Sequence, residues 1–298
     1  MDLPEGPESH LIPLMPLPSA RATAFGKTGA FGMLSHRAPV GCLLVVLALL
    51  GLSQPGRAQT NAPPSGPAHP SQVERLNRVY GTAKSRLGKE ATNDEAAWQF
   101  ARACFDLADI STNDAAKEKV ANEGVTACRQ LLLRDPKSAA AHYYLAMNLG
   151  EVASTKSLGA LSIVSEMEIE FKKARELDDK FDYAGPDRNL GMLYLQAPGW
   201  PFSVGDRVQA RQHLLRAVQV APEYPENHLN LLEAYIQWKQ RDTLAKDAEN
   251  LKKIWPEAKK QLTGEAWDSA WADWEKRWQA IQAELHAPPA TLTPHDRR

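Results

Sequence analysis

The stretch that decides the fold is residues 185–235, GPDRNLGMLYLQAPGWPFSVGDRVQARQHLLRAVQVAPEYPENHLNLLEAY. Apolar residues recur at helical spacing on both sides of its centre, residues 197–206, which read APGWPFSVGD. Two prolines and two glycines in ten residues cannot continue a helix and are typical of a structured turn. We therefore predict two helices joined by a loop. We interpret the helices as a scaffold and the loop as part of what the scaffold presents.

Similar helix endings recur along the chain, which indicates an internal repeat. They close at Pro136, Asp179, Pro222 and Pro256, at spacings of 43, 43 and 34 residues. Periods in this range are typical of helical repeats, in which each helix pair buries its apolar face on the next pair. No convincing run of alternating strand residues is present. The sequence therefore predicts an all-α fold, an α-solenoid of helix pairs with inter-helix insertions, over residues 72–287.

The last repeat resembles the tetratricopeptide (TPR) family, whose repeat length is 34 residues. Its matching positions are His228, Leu231, Leu232, Tyr235, Leu244, Ala248, Leu251 and Pro256. The earlier repeats match less closely and carry insertions between their helices, and the resemblance covers roughly residues 92–257. Gly191 holds the position where the family places a small residue, so that two helices can approach closely.

The resemblance implies a concave inner groove, lined by the first helix of each pair, that contacts a protein or peptide partner. The positions carried over onto this sequence are Tyr143, Met147, Glu151, Arg188, Met192, Gln196, Glu233 and Gln237. Trp200, in the loop, is the ninth predicted binding residue. We expect the loop either to dock its aromatic side chains on the neighbouring repeat or to form the wall of a cleft.

A narrower resemblance leads to an alternative function. Residues 140–256 look like the T-component proteins of tripartite ATP-independent periplasmic (TRAP) transporters, chiefly in the Gly-Pro start at 185, the proline-tryptophan loop and the PEYPEN turn at 222–227. Those proteins are exported, pair with a substrate-binding subunit and have an apolar ligand cleft. The resemblance implies a transporter accessory or ligand carrier that holds a small apolar or acidic molecule between the insertions.

The N-terminal part predicts export. Residues 42–52, CLLVVLALLGL, form an apolar run too short to span a bilayer, and Gly56 and Ala58 suit signal peptidase. We predict a signal peptide over 33–58, with 1–32 a non-native extension or disordered, 59–71 a disordered linker and 288–298 a disordered tail. The predicted location is the periplasm or the outside of a bacterial cell, with no membrane span after cleavage.

The sequence contains no recognisable catalytic, metal or cofactor motif, so we expect a protein that is not an enzyme and needs no cofactor. With 35 basic and 36 acidic residues, the net charge of −1 gives no field for nucleic acid. His142 and His228 occupy equivalent repeat positions and are predicted to be packing residues. Cys104 and Cys128 either form a disulfide, since export implies an oxidising compartment, or are two buried thiols.

A stripe of tryptophans predicts how the stack of repeats ends. Trp267, Trp271, Trp274 and Trp278 are spaced by four, three and four residues, which places them on one side of a helix. We interpret this helix as the terminal cap that covers the last pair, with Thr263 as its N-cap. The helix at 73–88 is predicted to cover the other end.

Overall fold

Ten α-helices make up the described residues, 71–156 and 159–287, of the computed structural model. They are α1 Gln72–Lys89, α2 Asp94–Asp109, α3 Asp114–Arg134, α4 Ala139–Ser154, α5 Ala160–Leu177, α6 Phe181–Gln196, α7 Arg207–Val220, α8 Pro225–Gln237, α9 Arg241–Gln261 and α10 Asp268–His286. An isolated bridge between Gly199 and Gly205 is the nearest approach to a sheet within these ranges. The predicted extension, signal peptide and C-terminal tail, and the linker up to residue 70, lie outside the described residues.

The helices pack in the order of the chain, as a solenoid requires. The pairs α2/α3, α4/α5, α6/α7 and α8/α9 correspond to the predicted repeats, and each pair contacts the next. The first helices of the pairs, α2, α4, α6 and α8, also contact one another in sequence, so they form the inner layer. The predicted all-α solenoid of helix pairs is confirmed.

Side-chain caps set five of the ten helix starts in the described residues. Ser71 caps α1 in a reciprocal capping box with Glu74, and Asn93, Asn113 and Ser138 each accept a backbone N–H of the helix that follows. Asp206 accepts the N–H groups of Val208 and Gln209, so the last residue of the APGWPFSVGD loop starts α7. These caps fix where each connection ends, independently of tertiary packing.

Close helix contact depends on small residues, as predicted for Gly191. A Cβ atom at this position would lie 2.7 Å from Leu214 Cγ and 3.0 Å from the Leu214 backbone nitrogen. Both atoms belong to α7, and Leu214 is fully buried. The axes of α6 and α7 can therefore approach this closely only because position 191 has no side chain.

The equivalent histidines pack as predicted and make the same contact in two repeats. His142 Nε2 donates to the carbonyl of Pro136 at 3.1 Å, and His228 Nε2 donates to the carbonyl of Pro222 at 2.7 Å. Each ring thus ties the start of an inner helix to the proline turn before it.

The C-terminal helix covers the open end of the stack, as predicted. Trp267 and Trp274 are buried, and Trp274 contacts Tyr224 edge-on at 5.3 Å between ring centroids. The predicted N-cap, Thr263, is wrong, because α10 begins only at Asp268 with Trp267 as its N-cap residue. Gly264, with φ of +94°, turns the chain between Thr263 and the helix.

Candidate functional site: the inner helical face

The structure divides the predicted groove into a closed part and an open part. Over α4, the predicted residues Tyr143, Met147 and Glu151 are buried, and Arg188 near the start of α6 is buried too. At the equivalent positions further along the stack, Met192 and Glu233 are half-buried, and Gln196 and Gln237 are exposed. The inner face is therefore accessible over the C-terminal halves of α6 and α8.

Aromatic packing closes the part over α4. Phe181, at the start of α6, lies across the inner helices, with its ring centroid 5.2 Å from that of Tyr143 and 6.3 Å from that of Trp98. Trp98 of α2 stacks in parallel on Tyr144 at 6.0 Å. These aromatic rings pack on one another, so they fill the inner face of the first two inner helices and leave no groove there.

Glu151 lies at the other end of α4 and is neutralised from the outer layer. Lys117 Nζ of α3 donates to Glu151 Oε2 at 2.5 Å, and the Glu151 side chain has no exposed surface. Desolvation by burial raises the pKa of Glu151, and the lysine opposes that rise. This carboxylate is committed to an internal ion pair.

A strained turn precedes the regular part of α6. Asp182, Tyr183 and Ala184 have φ values of 50°, 55° and 63°, which is left-handed backbone that costs roughly 1–2 kcal/mol per residue. Arg188 holds the turn: Nη1 donates to the carbonyls of Asp182 and Tyr183 at 3.0 and 3.1 Å, and Nη2 donates to Asp182 Oδ2 at 2.8 Å. Asn227 of α8 adds a hydrogen bond to the Tyr183 carbonyl at 3.0 Å.

One buried carboxylate in the turn links α6 to α4, and Arg188 and Asn227 extend the link to α8. Asp182 Oδ2 accepts from the hydroxyl of Tyr143 at 2.6 Å as well as from Arg188. Burial of the hydroxyl and the adjacent carboxylate raise the pKa of Tyr143 well above its ordinary value, so the phenol stays a donor. The Arg188 guanidinium also lies 5.1 Å from the centroid of Tyr224, beside α8.

A second buried arginine ties the cap helix to the inner face. Arg277 of α10 donates through Nε and Nη2 to the two carboxylate oxygens of Glu233, at 2.7 and 2.8 Å, in a bidentate pair. Nη2 also donates to Asn230 Oδ1. The pair fixes the orientation of Glu233, whose side chain remains 35% exposed. The cap therefore positions a predicted binding residue in addition to covering the stack.

The open part combines polar and adaptable side chains. Gln196 and Gln237 carry amides that can both donate and accept hydrogen bonds, and Met192 has a flexible apolar side chain. Glu233 adds an oriented carboxylate. Such a surface suits the backbone and mixed side chains of a peptide. Within the described residues there is no cluster of three or more potential metal ligands, and no helix has the length and apolarity needed to cross a bilayer.

The loop at 197–206 differs from both expectations for it. Trp200 and Phe202 are 89% and 74% exposed, so these rings neither dock on the neighbouring repeat nor wall an enclosed cleft. Ala197 and Val204 are loop residues that pack in the core. The loop is shaped by backbone hydrogen bonds, which leaves its aromatic side chains free.

The cysteines correspond to the second of the two alternatives. Cys104 and Cys128 are free thiols, and both are buried. Burial raises the pKa of each thiol well above its ordinary value, which makes both unreactive.

Sequence reasoning missed Arg277, Asp182 and Asn227, which organise the site. Arg277 lies on α10 and contacts Glu233 from 44 residues away, and Asn227 reaches the Tyr183 carbonyl from the same distance. Arg277 has a weak sequence signal, because it falls among the four tryptophans of the cap stripe with Asp273 one helical turn before it. The strained turn has none, because its three residues are not glycine.

Comparison with known proteins supports the fold. A family model described as "regulator of microtubule dynamics protein 1-3" matches residues 69–182, which is less than half of the chain. A crystal structure of a thermophilic TPR protein from Thermus thermophilus superposes with a TM-score of 0.53 at 15% identity, covering 70% of this chain and 91% of that one. The comparison with curated proteins gives no match.

These findings confirm the TPR-like helical repeat fold. The narrower resemblance to TRAP T-component proteins is not confirmed, since the matching family model is a different one.

Proposed function

We propose that this protein is a non-catalytic scaffold that binds a protein or peptide segment across the open inner face of α6 and α8. The observation that carries the proposal is a difference between equivalent positions. Glu151 is buried in an ion pair on α4, whereas its counterparts Gln196 and Gln237 are exposed on adjacent inner helices. Exposed amides on neighbouring helices suit an extended backbone laid across them.

The surroundings of this surface favour a peptide over a small molecule. Glu233 is oriented by Arg277, and Met192 supplies apolar contact beside it, so the surface offers one charge, two amides and one adaptable side chain. The aromatic loop does not fold over the surface, because Trp200 is exposed. An open, mixed surface of this kind gains affinity from many contacts spread over a length of chain.

Site-specific photo-crosslinking in the producing cell tests the proposal. A benzophenone amino acid is placed at Gln196 or Gln237, and at Gln212 of the outer helix α7 as a matched exposed control. We expect a discrete crosslinked species at 196 and 237 that is absent at 212. Crosslinking only at 212, or at none of the positions, would contradict the proposal.

We also propose that the chain is exported, on the basis of the apolar run at 42–52 and the small residues before the expected cleavage site. N-terminal sequencing of the natural protein tests this: a start at Gln59 supports export, and an intact apolar run argues against it. A substrate-binding transporter subunit among the crosslinked species would support the transporter role that the T-component resemblance implies.

A further inference from the structure

A second surface, defined by residues other than those of the inner face, lies where the loop at 197–206 meets α7. We define the loop-edge surface by Trp200, Phe202, Arg207, Val208 and Arg211. It uses none of the inner-face residues proposed above, and a different observation supports it: large apolar side chains held in solvent beside cations that have no carboxylate partner within the described part of the chain.

Backbone contacts hold the loop in one shape. The Gly205 N–H donates to the Pro198 carbonyl at 2.8 Å, and the Asp206 N–H donates to the Tyr194 carbonyl of α6 at 3.0 Å. A Cβ atom at Gly205 would lie 2.0 Å from the carbonyl oxygen of Ala197, so the close approach of the two loop arms requires glycine. Backbone hydrogen bonds therefore fix the base of the loop, while its tip extends into solvent.

The tip presents apolar area to solvent. Trp200 and Phe202 are 89% and 74% exposed, and Val208, on the first turn of α7, is 64% exposed. Scattered exposed apolar residues need no explanation, but three close in sequence on a braced loop and helix start form a patch of the kind that marks an interaction site. Tryptophan is also among the residues most often found as the energetic centre of protein interfaces.

Two arginines at the start of α7, on either side of Val208 in the chain, have no carboxylate partner within the described residues. The Arg207 guanidinium is 5.3 Å from the ring centroid of Trp238, and that of Arg211 is 5.2 Å from the same ring. Arg211 Nη2 also donates to the neutral amide oxygen of Gln240. Across 71–156 and 159–287, no carboxylate oxygen lies within 4.0 Å of the charged nitrogens of either arginine. The buried arginines Arg188 and Arg277, in contrast, are each paired with carboxylates.

The chemistry of the missing partner follows from these contacts. A guanidinium lying over an aromatic ring keeps N–H groups available at its edge, where a planar carboxylate can accept hydrogen bonds. The exposed rings need apolar cover from the same partner. We propose that the loop-edge surface binds an acidic peptide segment of a partner protein, with carboxylates on Arg207 and Arg211 and an apolar side chain against Trp200 and Phe202.

An anionic membrane is the other class of surface that pairs aromatic rings with cations. The structure favours the peptide, because both guanidiniums lie against the ring of Trp238, a residue outside the loop. Membrane binding is therefore an outcome that the test must separate from peptide binding.

The test selects ligands from a random dodecapeptide phage library with the purified full chain. We expect enriched sequences to combine aspartate or glutamate with aromatic or large aliphatic residues. Binding of the selected peptides should weaken about tenfold or more in Trp200→Ser and in Arg207→Glu, and stay within about twofold in Leu133→Ser. Leu133 is a matched control, since it is 86% exposed on α3, which packs on α2 and α4 and belongs to a different helix pair from the loop. Circular dichroism checks that every variant is folded.

Three outcomes would overturn the proposal. The selected peptides could show no acidic enrichment, or they could bind the loop-edge variants as well as the unmodified chain. In the third, no peptide is selected, and the chain sediments with phosphatidylglycerol vesicles but not with phosphatidylcholine vesicles. Trp200→Ser then abolishes the binding to phosphatidylglycerol vesicles. This last result would assign the surface to a membrane. None of these results affects the inner-face proposal, which depends on crosslinks at 196 and 237.

Discussion

Adding one methyl group at Gly191 should destabilise the protein, although the same change stabilises most helices. Alanine in place of glycine inside a helix normally gains about 0.5–1 kcal/mol. At Gly191 the new Cβ would lie 2.7 Å from Leu214 Cγ and 3.0 Å from a backbone nitrogen. Neither atom is the free end of a flexible side chain, so α6 and α7 must separate.

The magnitude follows from the cost of overpacking a well-filled core, about 1–3 kcal/mol. Because the new methyl group would contact backbone and a fully buried leucine, we expect the overpacking cost of Gly191→Ala to lie near the upper end of this range. Subtracting the stabilisation that alanine normally gives a helix leaves a net loss of about 2 kcal/mol in the free energy of unfolding. Gly81 is the matched control, because it lies inside α1 and a Cβ atom added there would have nothing within 4 Å. Gly81→Ala should gain about 0.5–1 kcal/mol.

Thermal unfolding followed by circular dichroism measures both variants. For a helical domain of this size, 1 kcal/mol corresponds to about 2–4 °C, so the two melting temperatures should differ by roughly 5–12 °C, with Gly191→Ala the lower. Gly191→Leu should have a still lower melting temperature than Gly191→Ala. Equal melting temperatures for the two alanine variants, or a higher one for Gly191→Ala, would refute the claim that residue 191 sets the spacing of α6 and α7.

Three further predictions test side chains that are buried inside the protein. Arg188→Ala should cost about 3–5 kcal/mol in urea unfolding, because it leaves a buried carboxylate unpaired and a left-handed turn unsupported; a cost below about 1 kcal/mol would argue against that role. Asp106 is buried on α2 beside Arg102. Burial raises the pKa of its carboxyl to about 6, so the folded state favours the protonated form. Its contribution to the free energy of unfolding is therefore present below about pH 4 and is lost as pH rises through 6. The stability of Asp106→Asn relative to the unmodified protein should therefore increase by roughly 3 kcal/mol from about pH 4 to pH 7, and a flat difference would contradict this. In a Cys42→Ser background, a thiol reagent should modify no cysteine in the folded protein and two in urea, since Cys104 and Cys128 are buried thiols; none in urea would indicate a disulfide.

The parts of the fold that could be predicted from sequence depend on contacts between near neighbours. The four helix pairs, the close approach at Gly191 and the cap formed by Asp206 each follow from residues within one repeat. The order of the pairs follows because consecutive helices with short connections pack on each other. The cap formed by α10 was also predictable, because four tryptophans on one side of a helix must be buried together.

The parts that could not be predicted depend on contacts between repeats. Tyr143 is covered in part by Phe181, which directly precedes three non-glycine residues in a left-handed turn. Neutralisation of Glu151 requires Lys117 from an outer helix. Positions that are equivalent in a repeat alignment therefore have opposite exposures in the structure. The predicted set of binding residues therefore contained both the exposed residues of α6 and α8 and residues that are buried in the structure.

The most direct test of the account is the solvent accessibility of equivalent inner positions. Single cysteines are introduced at Met147, Gln196 and Gln237 in the Cys42→Ser background, and their rates of reaction with a maleimide are compared with the rate after unfolding. We predict that the cysteines at 196 and 237 react almost as fast in the folded protein as in the unfolded one, and that the cysteine at 147 is strongly protected. Equal rates at all three positions would show that the inner face is uniformly open or uniformly closed, and would contradict the account.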